Sequence, residues 1–135
     1  MITHELNIRV RYAETDQMGY VYYGNYATYF EVARVETFRS MGMSYKEMEA
    51  MGVMMPVLEL KTKYIRPAKY DDYLTIKVKI AEKPHVRIKF AYEVFNEAGT
   101  LLNVAETTLV FIDSKTGKPA QAPKAFRTII DKLFE

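Results

Sequence analysis

Cysteine is absent from this sequence of 135 residues, and histidine occurs only twice, at His4 and His85. Without cysteine there are no disulfides, no thiolate nucleophile and no cysteine-ligated zinc. Two histidines that lie far apart along the chain are also a poor basis for a Ser-His-Asp triad or a multi-histidine metal site. The sequence therefore predicts no metal site.

Long apolar runs and a strong charge imbalance are missing as well. No apolar run approaches the roughly 20 residues that a membrane-spanning helix needs, and residues 1–12 lack the pattern of a signal peptide. A formal net charge of +2 gives no argument for nucleic-acid binding. With 49% hydrophobic residues, the chain fits a single domain over residues 1–135 with one core. We expect a cytoplasmic protein without membrane insertion and without a nucleic-acid partner.

The spacing of apolar residues predicts an α+β protein. Period-two alternation predicts four strands, over residues 5–13, 58–64, 74–80 and 86–94, and a largely apolar segment predicts a fifth over 101–112. Helical spacing predicts a long helix of about 17 residues, with Asn25 as its N-cap and Gly42 as its stop. It also predicts a short helix from 44 to near 52 and a C-terminal helix over 123–134.

Short turns join the last four predicted strands, and consecutive hairpins imply an antiparallel sheet with the long helix packed on one face. The strand at 101–112 is apolar on both faces, which indicates a central strand or an interface. It is also the basis for predicting a homo-oligomer, either a dimer or a tetramer. Tyr12 falls on the apolar face of the first strand, and Arg34 falls among the charged residues of the long helix.

One acidic side chain, Asp16, lies just ahead of the long helix. Gly19 follows three residues later, then an aromatic run, and then Gly24 and Asn25 at the predicted helix start. A helix N-terminus presents unpaired N–H groups and the positive end of the helix dipole, so a carboxylate beside it can serve acyl chemistry. An isolated carboxylate in a turn is usually a turn former, so the hypothesis depends on the whole motif.

The residues around Asp16 resemble those of a known family. The pattern Asp16-x-x-Gly19-x-Val21-Tyr22-Tyr23-x-Asn25-Tyr26 is similar to that of the hotdog-fold acyl-CoA thioesterases of the 4-hydroxybenzoyl-CoA thioesterase and YbgC type. The similarity extends over about the whole chain, and segment 65–72 looks like the family's entry into its third strand. The resemblance implies a sheet wrapped round a central helix, two chains that pair their sheets, and a substrate tunnel at each subunit interface.

The resemblance also implies roles for individual residues. Asp16 matches the catalytic carboxylate, as nucleophile or as general base, and the backbone N–H of Tyr23 is expected to polarise the thioester carbonyl. YbgC-type sequences often carry histidine at the position of Tyr23, so histidine-assisted variants of the mechanism do not transfer to this chain. Gly24 lets the substrate approach the backbone, and Asn25, besides capping the helix, is a candidate to orient water or substrate.

Coenzyme A carries phosphates, so basic residues near the mouth of the tunnel are candidate contacts. The predicted substrate-binding residues of this kind are Arg66, Arg87 and Lys89. Hydrolysis of acyl-CoA, without a metal or an organic cofactor, is the predicted activity. Hydrolysis of acyl-carrier-protein thioesters and non-hydrolytic binding of acyl-CoA by a hotdog dimer stay open as alternatives. We call residues 14–24, which carry Asp16 and lead into the long helix, the motif loop. A hotdog dehydratase is not expected, because neither histidine lies in the motif loop.

Overall fold

A five-stranded antiparallel sheet organises the chain in the computed structural model, which describes residues 1–135. Its strands are β1 (Ile2–Arg9), β3 (Val57–Tyr64), β4 (Tyr73–Ile80), β5 (Arg87–Phe95) and β6 (Leu101–Val110). Two short strands, β2 (Val53–Met54) and β7 (Ile112–Asp113), pair with each other. The helices are α1 (Asn25–Ser40), α2 (Tyr45–Ala50) and α3 (Lys124–Leu133). None of them combines the length and the apolar composition that crossing a membrane requires.

The sheet buries one face against the long helix, as the alternation predicts. On β4 the four apolar residues from Leu74 to Ile80 are at most 2% exposed, while Lys77 and Lys79 face solvent. Burying one such side chain completely contributes about 1.5 to 3 kcal/mol. Strand β5 follows the same pattern, and its Tyr92 ring stacks on Phe30 of α1 with 4.5 Å between ring centroids.

Helix α1 packs on the sheet through an apolar stripe and ends where the sequence indicates. Gly42 follows the helix with φ of 94°, a conformation that glycine adopts without strain. The next helix, α2, begins with the predicted cap, because the N–H of Glu47 donates to Ser44 Oγ at 3.1 Å. Five apolar residues of α1 are buried: Tyr26, Tyr29, Phe30, Ala33 and Phe38.

Arg34 lies inside the core, and the prediction that it belongs to the charged side of α1 is wrong. Arg34 as a whole is only 6% exposed. Its Nε donates to the hydroxyl of Tyr45 and its Nη1 to the hydroxyl of Tyr92, each at 3.2 Å. The Tyr92 hydroxyl also bonds to Thr107 Oγ1 at 2.6 Å. Hydroxyl groups rather than a carboxylate therefore surround this buried cation, which is tolerable because its donors find acceptors.

The first strand begins and ends earlier than predicted. Strand β1 pairs with β4 along its whole length, and the pairing ends at Arg9 opposite Tyr73. Residues 12–14 then form a single 3₁₀ turn, in which Tyr12 is 77% exposed. The placement of Tyr12 on a buried strand face is therefore wrong, because the alternation of residue types continues beyond the point where the chain leaves the sheet.

The last four long strands do not form a simple meander. Strands β4, β5 and β6 are consecutive neighbours, as predicted, but β3 pairs with β6 instead of β4. Strand β1 occupies the other edge of β4 and leaves no place for β3 there. The sheet order is β1-β4-β5-β6-β3. Strand β6 is thus an inner strand, as its two apolar faces predict, and β3 is an edge.

Candidate active site

Asp16 begins a tight loop that folds back on itself before α1. Its backbone N–H donates to the carbonyl of Tyr20 at 2.8 Å. Its carboxylate oxygen Oδ1 accepts the N–H groups of Met18 at 2.9 Å and of Tyr20 at 3.2 Å. The other oxygen, Oδ2, accepts no hydrogen bond from the chain. One carboxylate oxygen therefore shapes the turn while the other is free to act on a bound molecule.

The loop is fixed to the segment that precedes β4. The N–H of Val21 donates to the carbonyl of Ala68 at 2.8 Å, and the N–H of Tyr70 donates to the carbonyl of Gly19 at 3.1 Å. Ala68 is 1% exposed, so this junction is part of the core. The φ of Gly19 is 77°, which allows the chain to reverse there without a steric penalty. Asp16 is thereby held on a rigid support.

The start of α1 presents two backbone donors without a partner in the chain. The N–H of Asn25 donates to the carbonyl of Tyr22, but the N–H groups of Tyr23 and Gly24 donate to no protein atom. Unpaired donors at a helix N-terminus, together with the positive end of the dipole, attract a negatively charged oxygen. Tyr23 and Gly24 are both exposed, so a ligand can reach this position.

Gly24 provides space rather than an unusual backbone conformation. Its φ of −64° is available to any residue. A Cβ atom at this position would lie only 2.9 Å from Cε2 of the Tyr22 ring. The Tyr22 and Tyr23 rings pack against each other with centroids 4.7 Å apart. An aromatic surface thus borders the free donors.

Asn25 is not the N-cap of α1, and that prediction is wrong. Gly24 occupies the cap position and Asn25 is the first helical residue. The Asn25 side chain turns back to the loop, where its Nδ2 donates to the carbonyl oxygen of Glu14 at 2.7 Å. Since this amide is occupied by the protein, Asn25 holds the helix to the loop. Its predicted catalytic contribution stays a prediction.

Glu14 is a buried residue of the site that the sequence analysis missed. It is 9% exposed, and its carboxylate accepts the N–H and the Nη2 of Arg11 and the hydroxyl of Tyr29. Burial opposes ionisation, but these hydrogen bonds outweigh it and hold the pKa of Glu14 below its usual value. The spacing of Arg11 and Glu14, three residues apart and just before Asp16, is the only signal in the sequence.

The three basic residues predicted to bind substrate are not brought together. Arg66 lines a cleft of about 520 Å³ with Tyr20 of the motif loop and with Lys69, which the sequence analysis did not single out. Arg87 and Lys89 lie on the solvent face of β5 near its beginning. The same cleft also contains Asn96, just past the end of β5. Arg87 and Lys89 are therefore at the far end of the sheet from Asp16 within one chain.

Comparison with known proteins places this arrangement in a family. Residues 10–130 match the model of the thioesterase-like superfamily. The Bacillus subtilis protein YneP is 36% identical over 88% of this chain and 86% of its own. The acyl-CoA thioester hydrolase YbgC of Escherichia coli O6:H1 is 34% identical over 87% of this chain and 88% of its own.

The solved structures agree with the family match. A DHNA-CoA thioesterase from Staphylococcus aureus superimposes with a TM-score of 0.93 at 36% identity, over 99% of this chain and 92% of that one. The α+β hotdog fold expected from the sequence is thereby confirmed, and so is the resemblance to YbgC-type thioesterases. This chain is therefore a hotdog-fold thioesterase and belongs to the thioesterase-like superfamily.

Proposed function

We propose that this protein hydrolyses acyl-CoA thioesters, with Asp16 as the reacting carboxylate and the N–H groups of Tyr23 and Gly24 as the oxyanion hole. The observation that carries the proposal is the combination of a free carboxylate oxygen with two unpaired backbone donors on adjoining parts of one loop. Related proteins named as acyl-CoA or DHNA-CoA thioesterases support the choice of thioester.

The two donors suit the charge that develops during thioester hydrolysis. When a nucleophile adds to the carbonyl carbon, negative charge moves to the carbonyl oxygen, and fixed N–H groups stabilise it without reorganising. One donor of this kind contributes about 3 to 4 kcal/mol to transition-state stabilisation. Since both donors are backbone groups, the hydroxyl of Tyr23 has no part in this step.

Asp16 can serve the reaction in two ways. As nucleophile, its Oδ2 adds to the carbonyl carbon, the C–S bond breaks, and CoA leaves as a thiolate; water then hydrolyses the resulting mixed anhydride. As general base, Asp16 takes a proton from a water molecule whose oxygen adds to the same carbon, with the same thiolate leaving. Both routes consume one water and need no metal or organic cofactor.

The cleft beside the loop suits the polar part of the substrate. Arg66 and Lys69 are exposed basic residues next to Tyr20, and in the proposed complex they contact the phosphates of CoA. The Tyr22 and Tyr23 rings belong to the same segment as the proposed oxyanion hole, and an aromatic acyl group can pack against them. Aromatic acyl-CoAs are therefore the first substrates to try.

The test measures thiol release from a panel of aromatic and aliphatic acyl-CoAs. A thiol reagent reports only the CoA released, because the protein contains no cysteine. Asp16→Asn should lower kcat by about 100-fold or more, the usual loss when a positioned acid or base is removed. Asn at this position can still accept the N–H groups of Met18 and Tyr20, so the turn is preserved and the loss reports chemistry.

Tyr23→Phe is the matched control. It removes a hydroxyl from the same loop but keeps the backbone donor, so we expect kcat within about threefold of wild type. An Asp16→Asn variant as active as wild type would mean that Asp16 only forms a turn. A Tyr23→Phe variant as inactive as Asp16→Asn would mean that the oxyanion contact lies on other atoms.

The same cleft, in which Arg66 and Lys69 outnumber the one carboxylate, Asp72, also suits an acidic acyl-carrier protein, which keeps that substrate as a second candidate. Initial rates on one acyl group presented as a CoA thioester and as a carrier-protein thioester decide between them through kcat/KM. If CoA raises the melting temperature while no thioester in the panel releases thiol, the protein is instead a non-hydrolytic binder.

A further inference from the structure

Glu14 joins the motif loop to helix α1 at two successive turns of the helix. Its backbone carbonyl accepts the N–H of Tyr22 at 2.9 Å and Asn25 Nδ2 at 2.7 Å. Its carboxylate oxygen Oε1 accepts the hydroxyl of Tyr29 at 3.0 Å. Tyr29 lies four residues after Asn25 and therefore on the same face of the helix, one turn further on. A single residue thus bonds to both the first and the second turn of α1.

Glu14 also connects the two parts of the proposed catalytic apparatus. Asp16 follows it by two residues on the same loop. Tyr23 and Gly24 lie between Tyr22 and Asn25, the two residues that bond to the Glu14 carbonyl. A shift of Glu14 relative to α1 would therefore change the separation between the Asp16 carboxylate and the free N–H groups.

The buried bonds of Glu14 matter more than its exposed ion pair. Arg11 Nη2 lies 2.9 Å from Glu14 Oε2, but the Arg11 side chain is 78% exposed. Exposed ion pairs contribute little because water and salt screen them. The hydrogen bond from Tyr29 is enclosed by protein, where the lower dielectric strengthens it.

We propose that Glu14 is a positioning residue of the active site, which sets the separation between Asp16 and the N–H donors of Tyr23 and Gly24 through its bonds to Tyr29 and Asn25. This inference rests on the proposed thioesterase function of the same site. Glu14 does not contact substrate, because its carboxylate is buried and already occupied. Misplacing reacting groups by about 1 Å costs about 100-fold in rate, so the effect should appear in kcat rather than KM.

Tyr29→Phe is the most informative variant, because it removes one hydroxyl and leaves the ring packed in the core. We expect kcat on acyl-CoA to fall about tenfold with KM unchanged within about twofold. Glu14→Ala removes every side-chain bond and should lower kcat by about 100-fold. Glu14→Gln keeps an acceptor oxygen for Tyr29 and for the Arg11 N–H, so it should recover most of the activity lost in Glu14→Ala.

Arg11→Gln is the matched control for the ion pair. It removes the exposed cation, while the backbone N–H of residue 11 still bonds to Glu14 Oε1. We expect its kcat and KM within about twofold of wild type. A Tyr29→Phe variant with wild-type kcat would overturn the proposal, and so would an equal loss of activity in Arg11→Gln and Tyr29→Phe.

The outcome for Glu14 can be separated from the outcome for the function. If the wild-type protein releases no thiol from any acyl-CoA, the proposed function fails by itself. NMR of the Tyr23 and Gly24 amides then decides the positioning role. The positioning role is supported if the amide chemical shifts of Tyr23 and Gly24 differ from wild type in Tyr29→Phe but not in Arg11→Gln. It is overturned if these chemical shifts are the same in Tyr29→Phe and in wild type.

Discussion

Arg66 differs from the pair Arg87 and Lys89 in how close it lies to the loop that carries Asp16. Arg66 lies in the cleft beside Tyr20, whereas Arg87 and Lys89 lie at the far end of the sheet. We expect Arg66→Ala to raise KM for acyl-CoA about tenfold, because a hydrogen bond to a charged group contributes about 1.5 to 3 kcal/mol. On an acyl-pantetheine without nucleotide phosphates, the KM of the variant should equal that of wild type.

Arg87→Ala and Lys89→Ala serve as matched removals of positive charge elsewhere on the surface. Their KM for acyl-CoA should stay within about twofold of wild type, since neither side chain reaches the cleft of its own chain. An increase of KM in these variants, with Arg66→Ala unaffected, would contradict the Arg66 assignment. It would place the phosphates across a subunit boundary.

Arg34 illustrates what residue type alone cannot predict. It lies four residues after Phe30 and four before Phe38, so helical geometry places it in the apolar stripe of α1, and only its charge suggests otherwise. Its burial depends on the hydroxyls of Tyr45 and Tyr92. Burial raises the pKa of Tyr45 to about 12, although Arg34 acts in the opposite direction, so this partner stays a neutral hydroxyl. Sequence spacing carries no sign of such long-range partners.

Asp16 and Glu14 differ in how far the sequence alone indicates their roles. The hypothesis about Asp16 arises from the sequence, because a carboxylate, a glycine and an aromatic run precede a strong helical pattern. Glu14 acts through Tyr29, fifteen positions away, and through its own backbone carbonyl. Every residue has such a carbonyl, so the sequence does not mark this one. A residue whose role depends on such bonds becomes apparent only when the loop and helix are seen together.

The elements themselves follow closely from periodicity. The sequence predicts Asn25 as the N-cap of α1, and the N-cap is one residue earlier, at Gly24. The strands β4 and β5 match their predicted alternation because one face of each is buried. The pattern also predicts strand β3, but seven of its eight residues are exposed, on both faces of the strand. The alternation of residue types therefore predicts where the strands are, but not which strand faces are buried.

The N-terminus of α1 gives a prediction at the scale of an element. Gly24→Ala should lower the melting temperature only slightly, because alanine adopts the φ of −64° without strain but is a poorer N-cap residue than glycine. It should lower kcat/KM about tenfold to 100-fold, because the new methyl or the displaced Tyr22 ring occupies the space over the donors. Thermal unfolding and thiol release measure the two effects.

Gly117→Ala is the opposite control. Gly117 has a φ of 70° in a turn remote from the motif loop, and an added Cβ would meet no atom within 4 Å. Alanine there costs about 1 kcal/mol of stability from backbone strain, with no effect on kcat. If Gly24→Ala kept wild-type kcat/KM, close approach of the substrate to this backbone would be wrong.

Strand pairing is the property of the whole molecule that local patterns predict least. Strands β1 and β4 are far apart in sequence, yet their pairing removes the edge that a simple meander would give to β3. Since β6 is an inner strand, its two apolar faces no longer argue for an interface. That argument moves to β3, an edge strand whose apolar side chains are exposed: Val57, Leu58, Leu60 and Tyr64.

We expect a homodimer in which the β3 edges of two chains pair. An exposed apolar edge strand with unpaired backbone groups pairs readily with another strand, and a two-fold interface places the same surface on both chains. Wild-type protein should sediment with at least twice the 15.7 kDa mass of one chain. Leu60→Glu should shift this mass toward the single chain, because two carboxylates would be buried near the two-fold axis without partners.

Leu133→Glu provides the matched change at an exposed leucine on α3, which is 44% exposed compared with 41% for Leu60. It should keep the wild-type mass. A tetramer that falls to a dimer in Leu60→Glu would place a second interface elsewhere, whereas a wild-type monomer or a fully dimeric Leu60→Glu protein would contradict pairing through β3. If the tunnel lies between subunits, the monomeric variant should also lose thiol release while Asp16 and its loop stay folded, so activity and mass should fall together across a dilution series.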